Sequence, residues 1–337
     1  MKHAQIDHIS CYYPHHQLTN ARLVEDFPDF KIQEMSRLTG VLSRHISAKN
    51  ETSVDMGAKA VERLFSEFPF EMDDVGYLLF CSAGGDYITP PSSCILHDRL
   101  RLPAHCGALD FNQGCTGYLY GLSLADSLIG AGHAKKVLLV TAEAITKMLH
   151  PKDKANRSIF GDAGAATLIS AKKAPSSEGG FIFGTDGSKH EQIIIRHGRE
   201  RYPLPEYEED DFTDAMGNTR NNRYFYMNGS EVFNFSVAKA PELVSSLLAE
   251  AGLNMDQVDF FVFHQANRII LETIGRKLKI PNEKLVIELQ ETGNTVSSTI
   301  PIALRNLEQK GLLKRGMVLL LAGFGVGFSW GGTILRY

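Results

Sequence analysis

No apolar run in the 337 residues approaches the ~18 needed to span a bilayer. The longest, Val318 to Phe328, is broken by three glycines. The first residues, Met1-Lys2-His3-Ala4-Gln5-Ile6-Asp7-His8, lack the apolar core of a signal peptide. Five cysteines form an odd set without a CxxC pair, which points to free thiols in a reducing cytoplasm rather than to a disulfide framework. There is no low-complexity tract and no excess of one charge. With 43% hydrophobic and 22% charged residues and a net charge of −4, disorder and general nucleic-acid binding are disfavoured.

What is present alternates helical and strand patterns, the signature of an α/β fold. Residues 20–39 are amphipathic. Thr52 to Phe68 reads as a helix, with Ser53 and Asp55 available to cap it and Met56, Ala60, Leu64 and Phe68 on one stripe. Tyr77 to Phe80 and Val137 to Val140 read as buried strands, and Ser92 to Leu100 as another helix. Between them runs Leu109-Asp110-Phe111-Asn112-Gln113-Gly114-Cys115-Thr116-Gly117, a strand end, a glycine turn and a helix opening at Thr116. A cysteine at a helix N-terminus meets unpaired N–H groups and the positive end of the helix dipole, which favour the thiolate. Cys115 is therefore a candidate nucleophile with a lowered pKa. A small buried core cysteine is the plainer alternative.

The second half repeats the first. Met72 to Phe80 matches Met255 to Phe263 at an offset of 183, and Leu64-Phe65-Ser66-Glu67 matches Leu247-Leu248-Ala249-Glu250 at the same offset. Gly114-Cys115-Thr116 corresponds to Gly293-Asn294-Thr295, each before a helix and then a strand. Three ordered matches favour duplication. Equivalent strand ends and helix starts about a pseudo-twofold axis would converge, bringing Cys115, His264 (the counterpart of Cys81) and Asn294 into one pocket. Such a trio supplies a nucleophile, a proton handler and an amide donor for acyl transfer. Taken singly, His264 reads equally well as a core histidine and Asn294 as a turn residue.

These pieces resemble the β-ketoacyl-acyl-carrier-protein synthase III family of the thiolase-like superfamily. The matching stretches are Gly114-Cys115-Thr116-Gly117, Phe160-Gly161-Asp162, His264-Gln265-Ala266-Asn267, Gly293-Asn294-Thr295 with Ile300 to Leu304, and Gly323 to Gly331. The resemblance implies a thiolase-like α/β fold of two duplicated halves, 1–172 and 173–337, each a mixed sheet between helical layers. It also implies a homodimer that works without a bound cofactor or metal. Cys115 would accept an acyl group from acyl-CoA or acyl carrier protein, and malonyl-acyl carrier protein would lose CO₂ and condense with it. His264 and Asn294 would stabilise the enolate, and the backbone N–H groups of Cys115 and Val326 would form an oxyanion hole.

The same resemblance places Arg37, Thr89, Arg157 and Phe324 at the substrate. Glu34 and Leu38 stand where the family often has a Trp and an Arg for coenzyme A, so the usual acetyl-CoA grip is altered. Thr89 stands where a Phe often closes the acyl tunnel, which suggests a longer or bulkier acyl chain. Arg268, Arg276 and Lys277 read as a docking face for acidic acyl carrier protein, or simply as a solvated face. Glu206 to Asp211, within 202–224, reads as an acidic insertion over the pocket. Three other readings stay open: a same-fold acyltransferase forming an ester or amide without condensation, a non-catalytic heterodimer partner, and a dinucleotide-dependent dehydrogenase. The last fits poorly, because Gly323 to Gly327 is followed by a strand pattern rather than a helix.

Overall fold

The computed structural model describes residues 3–172, 177–206, 210–215 and 217–337. Five strands form the first sheet: β1 (His3–Tyr12), β2 (Val75–Cys81), β3 (Gly107–Phe111), β4 (Lys136–Glu143) and β5 (Ala163–Lys172), in the order β1-β5-β4-β2-β3. The second sheet contains β6 (Ser177–Thr185), β7 (Phe260–Phe263), β8 (Val318–Gly325) and β9 (Ser329–Arg336), in the order β7-β8-β9-β6.

The duplication is visible strand by strand. In the first sheet β2 runs parallel to β4, while β4–β5 and β5–β1 are antiparallel. In the second, β7–β8 is parallel, and β8–β9 and β9–β6 are antiparallel. Among the described residues β3 lacks a full counterpart, which is reduced to one parallel bridge between Phe261 and Leu285. The expected boundary at 172/173 falls beside residues 173–176, outside the described ones.

Five layers result. Helix α1 (Ser53–Glu67) and the helix Ser92–Arg99 cover the outer face of the first sheet, through Val54, Met56, Leu64 and Leu96. Helices α2 (Gly117–Gly130) and α5 (Thr299–Gln309) lie between the sheets. Leu119, Leu122, Ile300 and Leu304 share one core there with Leu79 and Leu139 of the first sheet and Val262 and Leu321 of the second. Helices α3 (Gly229–Ala251) and α4 (Arg268–Leu278) cover the far side. Val137, Leu138, Leu139 and Val140 are all fully buried, as an unbroken apolar run between two helical layers must be. Each such side chain contributes roughly 1.5–3 kcal/mol of burial.

Some local expectations need correction. Thr52, not Ser53, caps α1: its hydroxyl accepts from the Asp55 N–H at 3.2 Å while the Asp55 carboxylate accepts from the Thr52 N–H at 2.7 Å. Ser53 instead accepts from the N–H of Ala144. The amphipathic stretch 20–39 splits into helices Asn20–Asp26 and Ile32–Thr39, with Pro28 in the break. Helix α2 begins at Gly117 after a single 3₁₀ turn, Gly114–Thr116, so Cys115 sits in that turn rather than at the first residue of the helix.

Candidate active site

A cavity of about 520 Å³ opens between the two halves. Cys115, His264 and Asn294 all line it, together with Phe324, Gly325 and Val326. Cys115 comes from the turn after β3, His264 from the end of β7, and Asn294 from the loop before α5. The turn glycines of the two halves, Gly114 and Gly293, share a left-handed conformation (φ 51° and 65°) that other residues adopt only with strain. Equivalent positions thus turn the chain in the same way toward one space.

The motif residues around the trio hold it. Asn294 Oδ1 accepts from the Val296 N–H at 2.9 Å, which leaves its NH₂ group as the free donor of the amide. Gln265 is buried and bonded at both ends: its NH₂ reaches the carbonyls of Phe263 and Val286, and its Oε1 accepts from the Glu288 N–H. Asn267 caps α4 by accepting from Ile270 N–H. Buried Asp162 accepts four hydrogen bonds, from the N–H and hydroxyl of both Ser47 and Thr146, and so fixes the Ile145–Met148 wall. Gly161 is required beside it, because a Cβ there would lie 2.3 Å from the Thr292 carbonyl oxygen.

The electrostatics depart from the expectation for Cys115. Burial pushes its thiol up to about 12, outweighing the hydrogen bonds that the backbone N–H groups of Val326 and Cys115 offer its sulfur. The expected lowering fails because the thiol is held in a low-dielectric pocket before the helix proper begins. Those two N–H groups nevertheless point at the sulfur. Burial also pushes His264 down to about 3, against a hydrogen bond to the Val296 carbonyl that acts the other way, which favours a neutral ring near pH 7. Its Nδ1 lies 2.7 Å from Thr299 Oγ1.

Sequence reasoning missed Glu143. Its carboxyl is fully buried at the end of β4, accepting from Ser297 Oγ at 2.5 Å and from the Ala83 N–H at 2.9 Å. Burial pushes it up to about 7, and its charge in turn pushes the Cys115 thiol up. Nothing in the local pattern Thr-Ala-Glu distinguishes it from a strand-end surface residue. Replacing it tests the coupling: Glu143→Gln removes the negative charge present above pH 7, so Cys115 should be alkylated severalfold faster at pH 8 than in the parent protein. An unchanged rate, measured by peptide mapping after iodoacetamide, would remove Glu143 from the site.

The remaining candidates divide. Phe324 lines the cavity. Arg37 and Thr89 are exposed and lie outside its lining. Arg157 is also outside: it pairs with Asp26 at 2.9 Å, lies over the Phe27 ring, and borders a separate surface cavity of about 300 Å³. These contacts hold the Arg157 side chain outside the cavity that Cys115 lines. Arg276 and Lys277 are exposed at the end of α4, while Arg268 folds over Gly40. Residues 207–209 and 216 of the acidic insertion lie outside the described ones. Among the described residues, no group of three His, Cys, Asp or Glu is arranged to hold a metal ion, and no helix is long and apolar enough to cross a membrane.

Two look-alike halves with a cysteine on one side of their cleft and a histidine and an asparagine on the other define a thiolase-like enzyme. The family description "3-oxoacyl-[acyl-carrier-protein (ACP)] synthase III" matches residues 109–187, and its C-terminal counterpart matches 248–337. The β-ketoacyl-[acyl-carrier-protein] synthase III of Clostridium perfringens is 30% identical over 336 residues, spanning 100% of both chains. The β-ketoacyl-[acyl-carrier-protein] synthase III 2 of Halalkalibacterium halodurans is 32% identical over 334 residues, 99% of this chain and 96% of that one. A solved structure of a 3-oxoacyl-(acyl-carrier-protein) synthase III superposes with a TM-score of 0.97 at 42% identity, over 99% of this chain and 100% of the other. The chain belongs to the β-ketoacyl-acyl-carrier-protein synthase III family and is a condensing acyltransferase.

Proposed function

We propose that Cys115 takes an acyl group from an acyl thioester and that the acyl-enzyme then condenses with malonyl-acyl carrier protein, releasing CO₂ and a β-ketoacyl product for fatty-acid or related lipid synthesis. The observation that carries this reading is the single cavity shared by Cys115, His264 and Asn294. Acyl transfer builds negative charge on the thioester oxygen, and the N–H groups of Cys115 and Val326 stabilise it. Decarboxylation builds charge on the second thioester oxygen, and the Asn294 amide and the neutral His264 ring stabilise that. A well-placed donor in such a site is worth about 3–4 kcal/mol.

The cavity argues for the donor. Liquid water occupies about 30 Å³ per molecule, so a space of about 520 Å³ far exceeds an acetyl group. Ile145, Met148, Ile193, Phe225, Met227 and Val232 make much of its wall apolar. These side chains suit a pantetheine arm followed by an acyl chain well beyond two carbons. Mass spectrometry of the intact protein after incubation with a panel of acyl-CoAs and acyl carrier proteins tests both claims. Preferential labelling by longer acyl groups supports the reading, and labelling by acetyl alone overturns it. Met227→Trp should cut labelling by the longest accepted chain about tenfold relative to short ones, since each methylene group is worth roughly 1–3 kcal/mol in such pockets.

The partner surfaces follow from charge and edges. The exposed Arg276 and Lys277 on α4 suit an acidic carrier protein. The outermost strand β3, with Leu109 exposed, and the neighbouring exposed Tyr87 and Ile88 suit a second copy of the chain. In that homodimer the loop bearing Thr89 would meet the partner, which accounts for its place outside the cavity of one chain. We place the reaction in the cytoplasm, where the five free cysteines stay reduced.

A further inference from the structure

The neutral ring of His264 has one proton and two nitrogens, and only the tautomer with the proton on Nε2 offers a donor to the cavity. The tautomer of a buried histidine is set by what the other nitrogen meets. Here Nδ1 meets Thr299 Oγ1 at 2.7 Å, and both residues are almost fully buried. The hydroxyl has one proton and two acceptors within reach, Nδ1 and the Val296 carbonyl at 3.1 Å. The Val296 carbonyl already accepts the backbone N–H of Thr299, which closes the 3₁₀ turn before α5. The ring also meets the Val296 carbonyl, so either the hydroxyl donates to Nδ1, or an Nδ1–H donates and the hydroxyl proton goes to that carbonyl. Both arrangements satisfy the buried groups, and only the first leaves the ring proton on Nε2, where the condensing role of His264 needs a donor.

The backbone fixes where Thr299 stands. Val296, a β-branched residue, sits at φ 52°, in the left-handed region where such residues are rare. The strain is sustained by Asn294 Oδ1, which accepts the Val296 N–H. One turn thus orients the Asn294 amide and presents Thr299 to the imidazole.

We infer that Thr299 is a positioning residue that donates its hydroxyl proton to Nδ1 of His264 and so holds the ring proton on Nε2, facing the substrate. This rests on the condensing role assigned to His264. In that step the C–C bond to the malonyl carboxylate breaks and CO₂ leaves. The electron pair enters the enolate, whose oxygen accepts the hydrogen bond from Nε2–H. The enolate carbon attacks the acyl group, the bond to Cys115 sulfur breaks, and the thiolate takes a proton from water. The ring keeps its proton throughout, so its placement, rather than its charge, decides the rate.

The comparison is Thr299→Val, which keeps the shape and removes the hydroxyl, against Thr299→Ser, which keeps the hydroxyl. In Thr299→Val, Nδ1 has lost its donor and the ring proton is free to settle there, facing the Val296 carbonyl. Condensation is expected to fall about 100-fold, within the range expected for losing the His264 donor altogether. Acylation of Cys115 should stay within a few fold, and Thr299→Ser should recover most of the loss. Nitrogen-15 imidazole spectra, with the His264 signal assigned by its absence in His264→Ala, should show the proton on Nε2 in the parent protein and on Nδ1 in Thr299→Val. A parent ring protonated on Nδ1, or equal losses of acylation and condensation in Thr299→Val, would overturn the inference. Because the spectra do not depend on turnover, failure of the parent protein to condense malonyl-carrier protein would count against the proposed reaction and leave the tautomer result readable on its own.

Discussion

Replacing Cys115 with alanine is expected to abolish acyl-enzyme formation outright, with no mass increase on incubation with any acyl thioester. His264→Ala and Asn294→Ala are expected to behave differently, retaining acylation but losing condensation by about 100- to 1,000-fold each, the scale of one lost donor in a preorganised site. The difference follows from geometry. The donors directed at the Cys115 sulfur are backbone N–H groups of Cys115 and Val326, which side-chain replacement leaves in place. His264 and Asn294 face the cavity from the other half. Peptide mapping must accompany the mass measurement, because Cys94 is exposed and will take reactive labels of its own. Equal loss of acylation in all three variants would contradict the assigned roles.

Gly325→Ala is expected to slow the first half-reaction about 100-fold without touching a reactive group. A Cβ at this position would lie 2.5 Å from Cys115 Cβ and 2.6 Å from its sulfur. Both are far inside van der Waals contact, so either the thiol or the end of β8 must move. A displacement near 1 Å at the reacting atoms costs about 100-fold in rate, and overpacking adds about 1–3 kcal/mol of destabilisation. Acylation and iodoacetamide labelling of Cys115 should fall together, while labelling of Cys94 stays as it was. Normal acylation in a folded Gly325→Ala protein would show that the strand end yields freely and that the Val326 N–H is not fixed in place.

Much of this site was legible in the sequence because its parts recur. The offset between Met72–Phe80 and Met255–Phe263 is a register relation, and register converts directly into equivalent strand ends. That is why Cys115, His264 and Asn294 could be brought together without coordinates. What could not be read depends on burial across the fold. The thiol of Cys115 was expected to be acidic from its local setting, but desolvation by residues remote in sequence, together with Glu143, outweighs that setting. Glu143 and Thr299 carry no local pattern, since their partners Ser297, Ala83 and His264 are 35 or more positions away in sequence. Arg44 is the plainest case. It is fully buried, donating to the carbonyls of Leu18 and Ser158 and to Asn20 Oδ1, yet in sequence it looks like any surface arginine. Arg157 pairs with Asp26, 131 positions earlier, a contact that no local pattern announces.

The strand β3 ends at Phe111, only four residues before the nucleophile, and one of its flanks has no strand neighbour among the described residues. Whatever seats itself along that flank stiffens the approach to the thiol. With a second copy as the occupant, specific activity ceases to be a constant of the polypeptide and becomes a function of how much of it is in solution. Rates taken on highly dilute samples would then understate the enzyme for a reason unrelated to its chemistry.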